Sequence, residues 1–149
     1  MNQQRGFSLV EAMVVVAIII ILAGVGVPAM QDIITNARLK TATSDLFADI
    51  LRARSEAIKR NMDVQVKPAA GGWSKGWTIP SPTVGAGNLQ AHAELPYITV
   101  TGPDNLTYMS TGRLRSADQS TFSLEAKNGS ARCITVDLGG RPNIQPKKC

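Results

Sequence analysis

The sequence predicts an α+β fold in which one long N-terminal helix, a membrane anchor continued by an amphipathic stalk, packs on a small antiparallel β-sheet domain. An almost unbroken apolar run covers residues 7–27. A stretch without proline or glycine follows from 31 to 61, and its apolar residues recur at three- and four-residue steps. Short β-prone pieces separated by glycine and proline make up the remainder.

The apolar run carries a single charge, Glu11. Its 21 residues would form a helix of about 32 Å, which is enough to cross a bilayer core and long for a cleavable signal peptide. A carboxylate inside such a helix costs about 2.5–3.5 kcal/mol at the bilayer centre, so Glu11 is expected to have a function or a partner. Ordinary signal cleavage after Ala29, which would release a soluble protein, is the alternative.

The amphipathic stalk is predicted over 28–61. Pro28 either kinks or locally melts a continuous helix, or ends it. The apolar positions expected to face the core are Leu39, Ala42, Leu46, Ile50, Ala53, Ala57 and Ile58. The basic positions expected on the solvated face are Arg38, Lys40, Arg52, Lys59 and Arg60.

A β-rich globular domain is predicted over 62–149. Its expected strands lie at 63–66, 76–79, 97–100, 106–109, 121–124 and 132–136. The stretch 79–96 has several breakers and little periodicity, so it is predicted to be a loop. Trp73 and Trp77 are expected to seal the sheet with large apolar surfaces, rather than to form a ligand platform.

The N-terminal segment 6–28, GFSLVEAMVVVAIIIILAGVGVP, closely resembles the N-terminus of type IV prepilins and type II secretion pseudopilins. The resemblance implies that a prepilin peptidase cuts between Gly6 and Phe7, removes the leader 1–6 and methylates the Phe7 amine. It also implies that Glu11 helps to dock the subunit into a filament by pairing with the Phe7 amine of a neighbour. Such a pair is plausible chemically because opposite charges attract more strongly in a low dielectric.

Two further segments, RARSEAIKRN at 52–61 and GGWSKGWTI at 71–79, resemble the GspH/FimT class of minor pilins and pseudopilins (FimT/FimU-like). The implied partners are other major and minor pilins, the prepilin peptidase, and the inner membrane with its pilus assembly platform. The implied location is a single-pass inner-membrane precursor with a periplasmic globular domain, which then enters the pilus.

The two cysteines, Cys133 and Cys149, lack CxxC spacing and nearby histidines, so a disulfide in an oxidising compartment fits better than a metal or redox site. By closing this loop, the bridge would stabilise the folded chain by about 3 kcal/mol in the chain-entropy model. It resembles the disulfide-bounded C-terminal loop of many type IV pilins, which is less typical of type II secretion pseudopilins, and so favours a pilus.

No enzyme, cofactor or metal site is predicted. His92 has no HExxH spacing. The carboxylates beyond residue 100 show no paired motif for hydrolysis or metal ligation; they are Asp104, Asp118, Glu125 and Asp137. The net charge of +5 permits anionic partners without demanding them.

DNA capture is the strongest competing function, because some FimT-type minor pilins bind DNA in natural transformation through a C-terminal GRxR motif. Here the segment 139–149, GGRPNIQPKKC, has Asn143 where the second arginine would fall, and a literal GRLR occurs earlier, at 112–115, in an expected turn. The candidate DNA-binding residues are Arg141, Lys147, Lys148, Arg113 and Arg115. A structural minor pilin ranks first, a DNA-receptor pilin second and a type II secretion minor pseudopilin third.

Overall fold

The structure, a computed structural model, describes most of the chain. The described ranges are 8–115 and 119–149, without the side chains of 25–29. Gly6 and Phe7, which were predicted to be the cleavage and methylation residues, lie outside the described residues, as does Asp118.

Helix α1 (Leu9–Arg60) contains 52 residues. Ser8 directly precedes the helix, and its carbonyl accepts a hydrogen bond from the Ala12 N–H at 3.1 Å. The helix continues through Pro28, so the alternative of a helix end at that residue is wrong. The chain divides into two compact units, Met1–Ile34 and Thr35–Cys149.

The C-terminal end of α1 is closed by a Schellman motif. Asn61 adopts the left-handed conformation with a φ of 52°. Its N–H donates to the Ile58 carbonyl at 3.3 Å, and the Met62 N–H donates to the Ala57 carbonyl at 3.2 Å. These two bonds satisfy carbonyls that the helix leaves without partners, and they turn the chain into the first strand.

Eight strands follow the helix and form two four-stranded antiparallel sheets. They are β1 (Val64–Ala69), β2 (Gly72–Pro80), β3 (Asn88–His92), β4 (Ile98–Thr101), β5 (Leu106–Tyr108), β6 (Ser120–Ala126), β7 (Ala131–Val136) and β8 (Pro142–Gln145). The strand order is β3-β2-β1-β5 in one sheet and β4-β6-β7-β8 in the other. Each of the six predicted β-prone pieces overlaps a strand, to within one residue at either end.

Strands β3 and β8 were not predicted, and the prediction of a loop throughout 79–96 is wrong. β3 pairs with β2 from Trp77↔His92 to Pro80↔Asn88. It is an edge strand whose side chains are exposed or half-buried, so the apolar alternation that reveals a strand is absent. β8 begins at Pro142 and is followed by Pro146, which are both breakers in a sequence pattern but are tolerated at a sheet edge.

The core of the second unit combines one stripe of α1 with both sheets. The buried helix residues are Leu39, Ala42, Leu46, Ile50, Ala53 and Ala57, as predicted. Ile58 was also predicted to face the core, and this is wrong: it is 52% exposed, because it lies beside the stripe. Trp73 and Trp77 are buried, as predicted.

The solvated face of the stalk is also as predicted. All five basic residues assigned to it are exposed: Arg38, Lys40, Arg52, Lys59 and Arg60.

A polar link joins α1 to β2 and β3. The buried Asp49 carboxylate accepts a hydrogen bond from Trp77 Nε1 at 2.8 Å. The His92 ring stacks on Trp77 at 4.1 Å between centroids, and its Nε2 lies 3.3 Å from the Asp45 carboxylate. Asp45 and Asp49 are one turn apart on the helix, so a single face of α1 holds both strands.

We predict that Asp49→Ala lowers the free energy of unfolding by about 1–3 kcal/mol, because the buried Trp77 indole N–H loses its acceptor. Asp49→Asn keeps an acceptor oxygen and should recover most of the loss. Asp45→Ala is the matched control: its side chain is 46% exposed, so a loss below about 1 kcal/mol is expected. Chemical denaturation of the purified chain measures all three, and equal losses for Asp45→Ala and Asp49→Ala would contradict the assignment.

Candidate functional site

The N-terminal half of α1 presents an apolar surface to its surroundings. Every side chain from 8 to 24 is exposed, and the large ones among them are almost all valine, isoleucine, leucine or methionine. Glu11 lies in the first turn, and none of the described residues pairs with it. Contiguous exposed apolar area of this size marks contact with another protein or with lipid. Within the described residues, no helical segment is long and apolar enough to cross a membrane.

The predicted basic residues near the C-terminus are divided by β8. Arg141 directly precedes this strand, whereas Lys147 and Lys148 follow its end. Four residues of strand separate the two ends by about 13 Å. In addition, Lys148 Nζ pairs with Glu125 Oε1 at 2.9 Å. The structure therefore does not bring Arg141 together with the two lysines.

The tail that carries these lysines is covalently held. The structure joins Cys133, a buried residue of β7, to Cys149 in a disulfide. Because Cys133 is also paired in register with Gln145 of β8, the bridge folds the last residues back along the same strand pair.

The two Gly-Arg dipeptides, at 112–113 and 140–141, come together on adjacent turns. Gly112 and Gly140 are buried and have φ values of 75° and 77°. A Cβ at Gly140 would lie 2.2 Å from the Gly112 carbonyl oxygen, so the two backbones are in direct contact. The Arg54 Nε–H donates to the same Gly112 oxygen at 3.0 Å, and the Tyr108 hydroxyl donates to the Gly140 oxygen at 3.1 Å.

The phenol that supports these turns stays neutral. Burial raises the pKa of Tyr108 above its ordinary range, and the nearby Asp137 charge raises it further, against an opposing effect of Arg54. The hydroxyl therefore keeps its proton, and with it the bond to Gly140, at neutral pH and well above it.

The GRLR segment also connects the two sheets. Leu114 is buried, forms a β-bridge with Tyr108 of β5, and donates its N–H to the Leu138 carbonyl at 3.3 Å, directly after β7. Gly112 and Leu114 thus have structural roles, while the arginines between and beyond them point outward.

The arginines on these turns differ in whether they have an ion-pair partner. Arg115 pairs with Asp63. Arg113 and Arg141 are exposed, and their guanidinium groups have no partner among the described residues. Of the five predicted DNA-binding residues, the structure brings these two onto adjacent turns.

Two exposed apolar residues border the same turns, and the sequence did not reveal them. Ile58 reaches the Gly112 turn, where its Cδ1 lies 2.6 Å from the position of a Gly112 Cβ. Leu138 is 43% exposed and lies just before Gly140. The repeated Gly-Arg dipeptide was a visible signal, but nothing in the sequence showed that the two copies touch.

Among the described residues, no cluster of His, Cys, Asp and Glu could hold a metal ion.

Two family models match the chain. Residues 42–140 match the family described as type II transport protein GspH. Residues 1–27 match the prokaryotic N-terminal methylation motif.

Several characterised proteins are similar in sequence. Prepilin peptidase-dependent protein D of Escherichia coli (strain K12) is 31% identical over 110 residues, which cover 74% of this chain and 71% of that protein. A fimbrial protein of Moraxella nonliquefaciens is 43% identical over 61 residues, which cover 41% of this chain but only 38% of that protein.

Two solved structures share the fold. The type IV minor pilin FimU of Pseudomonas aeruginosa (strain PAO1) superposes with a TM-score of 0.67 at 24% identity, over 76% of this chain and 94% of that one. The minor pseudopilin EpsH from the type 2 secretion system of Vibrio cholerae superposes with a TM-score of 0.58 at 15% identity, over 73% of this chain and 97% of that one. Both have the α+β pilin fold predicted from the sequence.

The contact between the two turns predicts a large difference between two glycine substitutions. Gly129→Ala places a Cβ in open space at a φ of 85°, so only the backbone penalty of about 1–2 kcal/mol is expected. Gly140→Ala carries the same penalty and also forces its Cβ against the Gly112 oxygen, so its loss should exceed that of Gly129→Ala by at least about 2 kcal/mol. Denaturant midpoints measure both, and similar losses would show that the turns are not in contact.

Proposed function

This chain belongs to the GspH family of type IV pilin-like proteins, and we propose that it is a minor type IV pilin, a structural and priming subunit assembled through its N-terminal helix. The observation that carries the proposal is the exposed apolar face of α1 with the lone carboxylate of Glu11 in its first turn. This face lies inside the match to the N-terminal methylation motif. The role is assembly rather than catalysis.

The proposed parts of the chain follow this function. Residues 1–6 are the leader, and the peptidase cuts between Gly6 and Phe7 and methylates Phe7. Residues 7–27 form the transmembrane and assembly helix, 28–61 the stalk, and 62–149 the pilin domain.

The exposed apolar helix must be covered at every stage, because apolar surface of this extent is strongly disfavoured in water. Before assembly it is covered by the inner membrane, with the globular domain in the periplasm. After assembly it is covered by the helices of other major and minor pilins. The transfer between these two environments takes place at the pilus assembly platform.

Two systems use subunits of this kind, and the C-terminal disulfide between Cys133 and Cys149 supports the pilus. The description of the matching family supports the other candidate, a minor pseudopilin of type II secretion. Deletion of the gene separates them: loss of surface pili with normal protein secretion identifies a pilin, and the reverse result identifies a pseudopilin.

Processing is the first consequence to test. We predict that the mature chain begins at Phe7 and that Gly6→Val leaves uncleaved precursor in the inner membrane. Intact-mass measurement of the protein from purified membranes shows both the new terminus and the added methyl group. A mature chain that began at Met30 would contradict the proposal, because the anchor would have been removed.

Glu11 is expected to act in assembly and not in folding, because it lies in the first unit, whereas the buried core residues belong to the second. Glu11→Ala should lower the amount of this subunit in sheared pili by at least about tenfold. Without the carboxylate, the Phe7 amine of a neighbouring subunit would remain unpaired in an apolar bundle, which costs more than about 1.4 kcal/mol. Glu56→Ala is the control, because Glu56 is a half-buried helix carboxylate that pairs with Arg60 in the second unit. Immunoblots compare pili with membranes, and equal incorporation of both variants would refute the role.

The second candidate function is DNA binding, and the contact between the two Gly-Arg turns favours it. Arg113 and Arg141 could clamp phosphates without reading sequence. Duplex DNA binding by the full chain in detergent should then fall steeply from low to physiological salt. Alanine at both arginines should reduce the salt slope by about 2, whereas alanine at Lys147 and Lys148 should change it less. Absence of binding at low salt would eliminate this candidate.

A further inference from the structure

The surface around the two Gly-Arg turns includes exposed aliphatic residues that none of the functions above requires. We define the Gly112–Gly140 surface by the exposed or half-exposed side chains that border this backbone contact. They are Arg54, Ile58, Arg113, Leu138 and Arg141.

Hydrogen bonds hold the backbone of both turns. The Gly112 N–H donates to the Met109 carbonyl at 2.8 Å, and the Gly140 N–H donates to the Asp137 carbonyl at 2.9 Å. In addition, Asp137 Oδ1 accepts from the backbone N–H of Arg141 at 2.8 Å. The backbone of these turns therefore loses little conformational entropy when a partner docks on it.

Its apolar members are notable because they flank one site. Ile58 is 52% and Leu138 43% exposed. Ile58 contacts the Gly112 turn, and the Leu138 carbonyl accepts from the N–H of Leu114 in the same segment. Exposed apolar side chains with arginines beside them are typical of protein–protein interfaces.

Its charges call for a partner with carboxylates. The nearby acidic residues are already engaged: Asp63 pairs with Arg115, Glu56 pairs with Arg60 at 2.6 Å, and Asp137 accepts from the backbone N–H of Arg141. Arg113 and Arg141 are left without a carboxylate from the described part of the chain.

The same surface carries the arginines of the DNA candidate, and its aliphatic residues separate the two classes of partner. A duplex offers phosphates to the arginines but nothing to Ile58 and Leu138. A protein can place carboxylates opposite Arg113 and Arg141 and can also cover the two aliphatic residues.

We propose that the Gly112–Gly140 surface docks another pilin subunit, through a face of that subunit that presents carboxylates around an apolar centre. This inference rests on the proposed assembly function and adds to it the site at which a specific neighbour is recognised.

The test uses the full chain in assembled pili. A benzophenone amino acid is placed at Leu138, and at Val84 as the control, since Val84 is fully exposed on a loop that is no part of this surface. After irradiation, mass spectrometry identifies the cross-linked product. We expect position 138, and not 84, to cross-link to one pilin subunit.

Two sets of variants test the chemistry. Arg113→Glu with Arg141→Glu should lower the cross-linked fraction at least tenfold, whereas Lys67→Glu with Lys127→Glu should change it less than twofold. Ile58→Ser should lower it at least fivefold, whereas Leu51→Ser, at a comparably exposed helix residue, should not. Thermal melting confirms that each variant is folded. Carboxylate-to-lysine changes at the cross-linked site of the neighbour should restore cross-linking to the double glutamate variant.

Three results would overturn the inference. One is that the subunit is present in pili but position 138 cross-links no more often than position 84. Another is cross-linking that is insensitive to both arginines. The third is low-salt duplex DNA binding that needs both arginines and is unchanged by Ile58→Ser, which would make DNA the partner. Absence of the subunit from pili, seen directly on immunoblots, is a different result: it refutes the proposed function and the inference with it.

Discussion

Burial of a single stripe of α1 under two sheets is the constraint on which the rest of this structure depends. The stripe combines the small residues Ala42, Ala53 and Ala57 with larger aliphatic ones, and all of them are buried. Only the second half of the helix is covered in this way; the side chains from 8 to 24 remain exposed. One continuous helix thus serves two purposes, because its C-terminal half is the core of a folded domain and its N-terminal half is left for other molecules.

Two sheets that share one helix must also be joined to each other, and this requirement explains several residues. On one side Ser74 of β2 bonds the backbone of β4: its Oγ accepts from the Val100 N–H at 2.8 Å. Elsewhere Leu114 links β5 to the turn after β7. Gly112 and Gly140 are needed there because the two turns meet backbone to backbone, where a side chain would collide. The literal GRLR motif is therefore first a connection between sheets, and its arginines are displayed by that connection.

The sequence was sufficient for the features that local patterns encode. The helix stripe, the six β-prone pieces and the burial of Trp73 and Trp77 follow from periodicity and residue size. β3 and β8 were not predicted, because these edge strands have no apolar alternation and edge strands tolerate proline. Ile58 was misassigned because a 3.6-residue period does not distinguish the centre of a stripe from its border. The meeting of Gly112 with Gly140 could not be predicted, since it joins residues far apart in the sequence through the packing of two sheets.

The division of α1 also bears on how one subunit is told from another. An apolar helix with one carboxylate can pack against many other apolar helices, because it offers few polar groups whose pairing would reject a wrong neighbour. A single carboxylate, Glu11, offers little by which one apolar helix could be told from another. In the proposed assembly, recognition of a specific neighbour therefore falls to the globular unit, which displays its charges on defined turns. Rigid turns that display two arginines beside Ile58 and Leu138 supply such a feature, because an ill-matched neighbour would leave the arginines unpaired and the aliphatic residues in water.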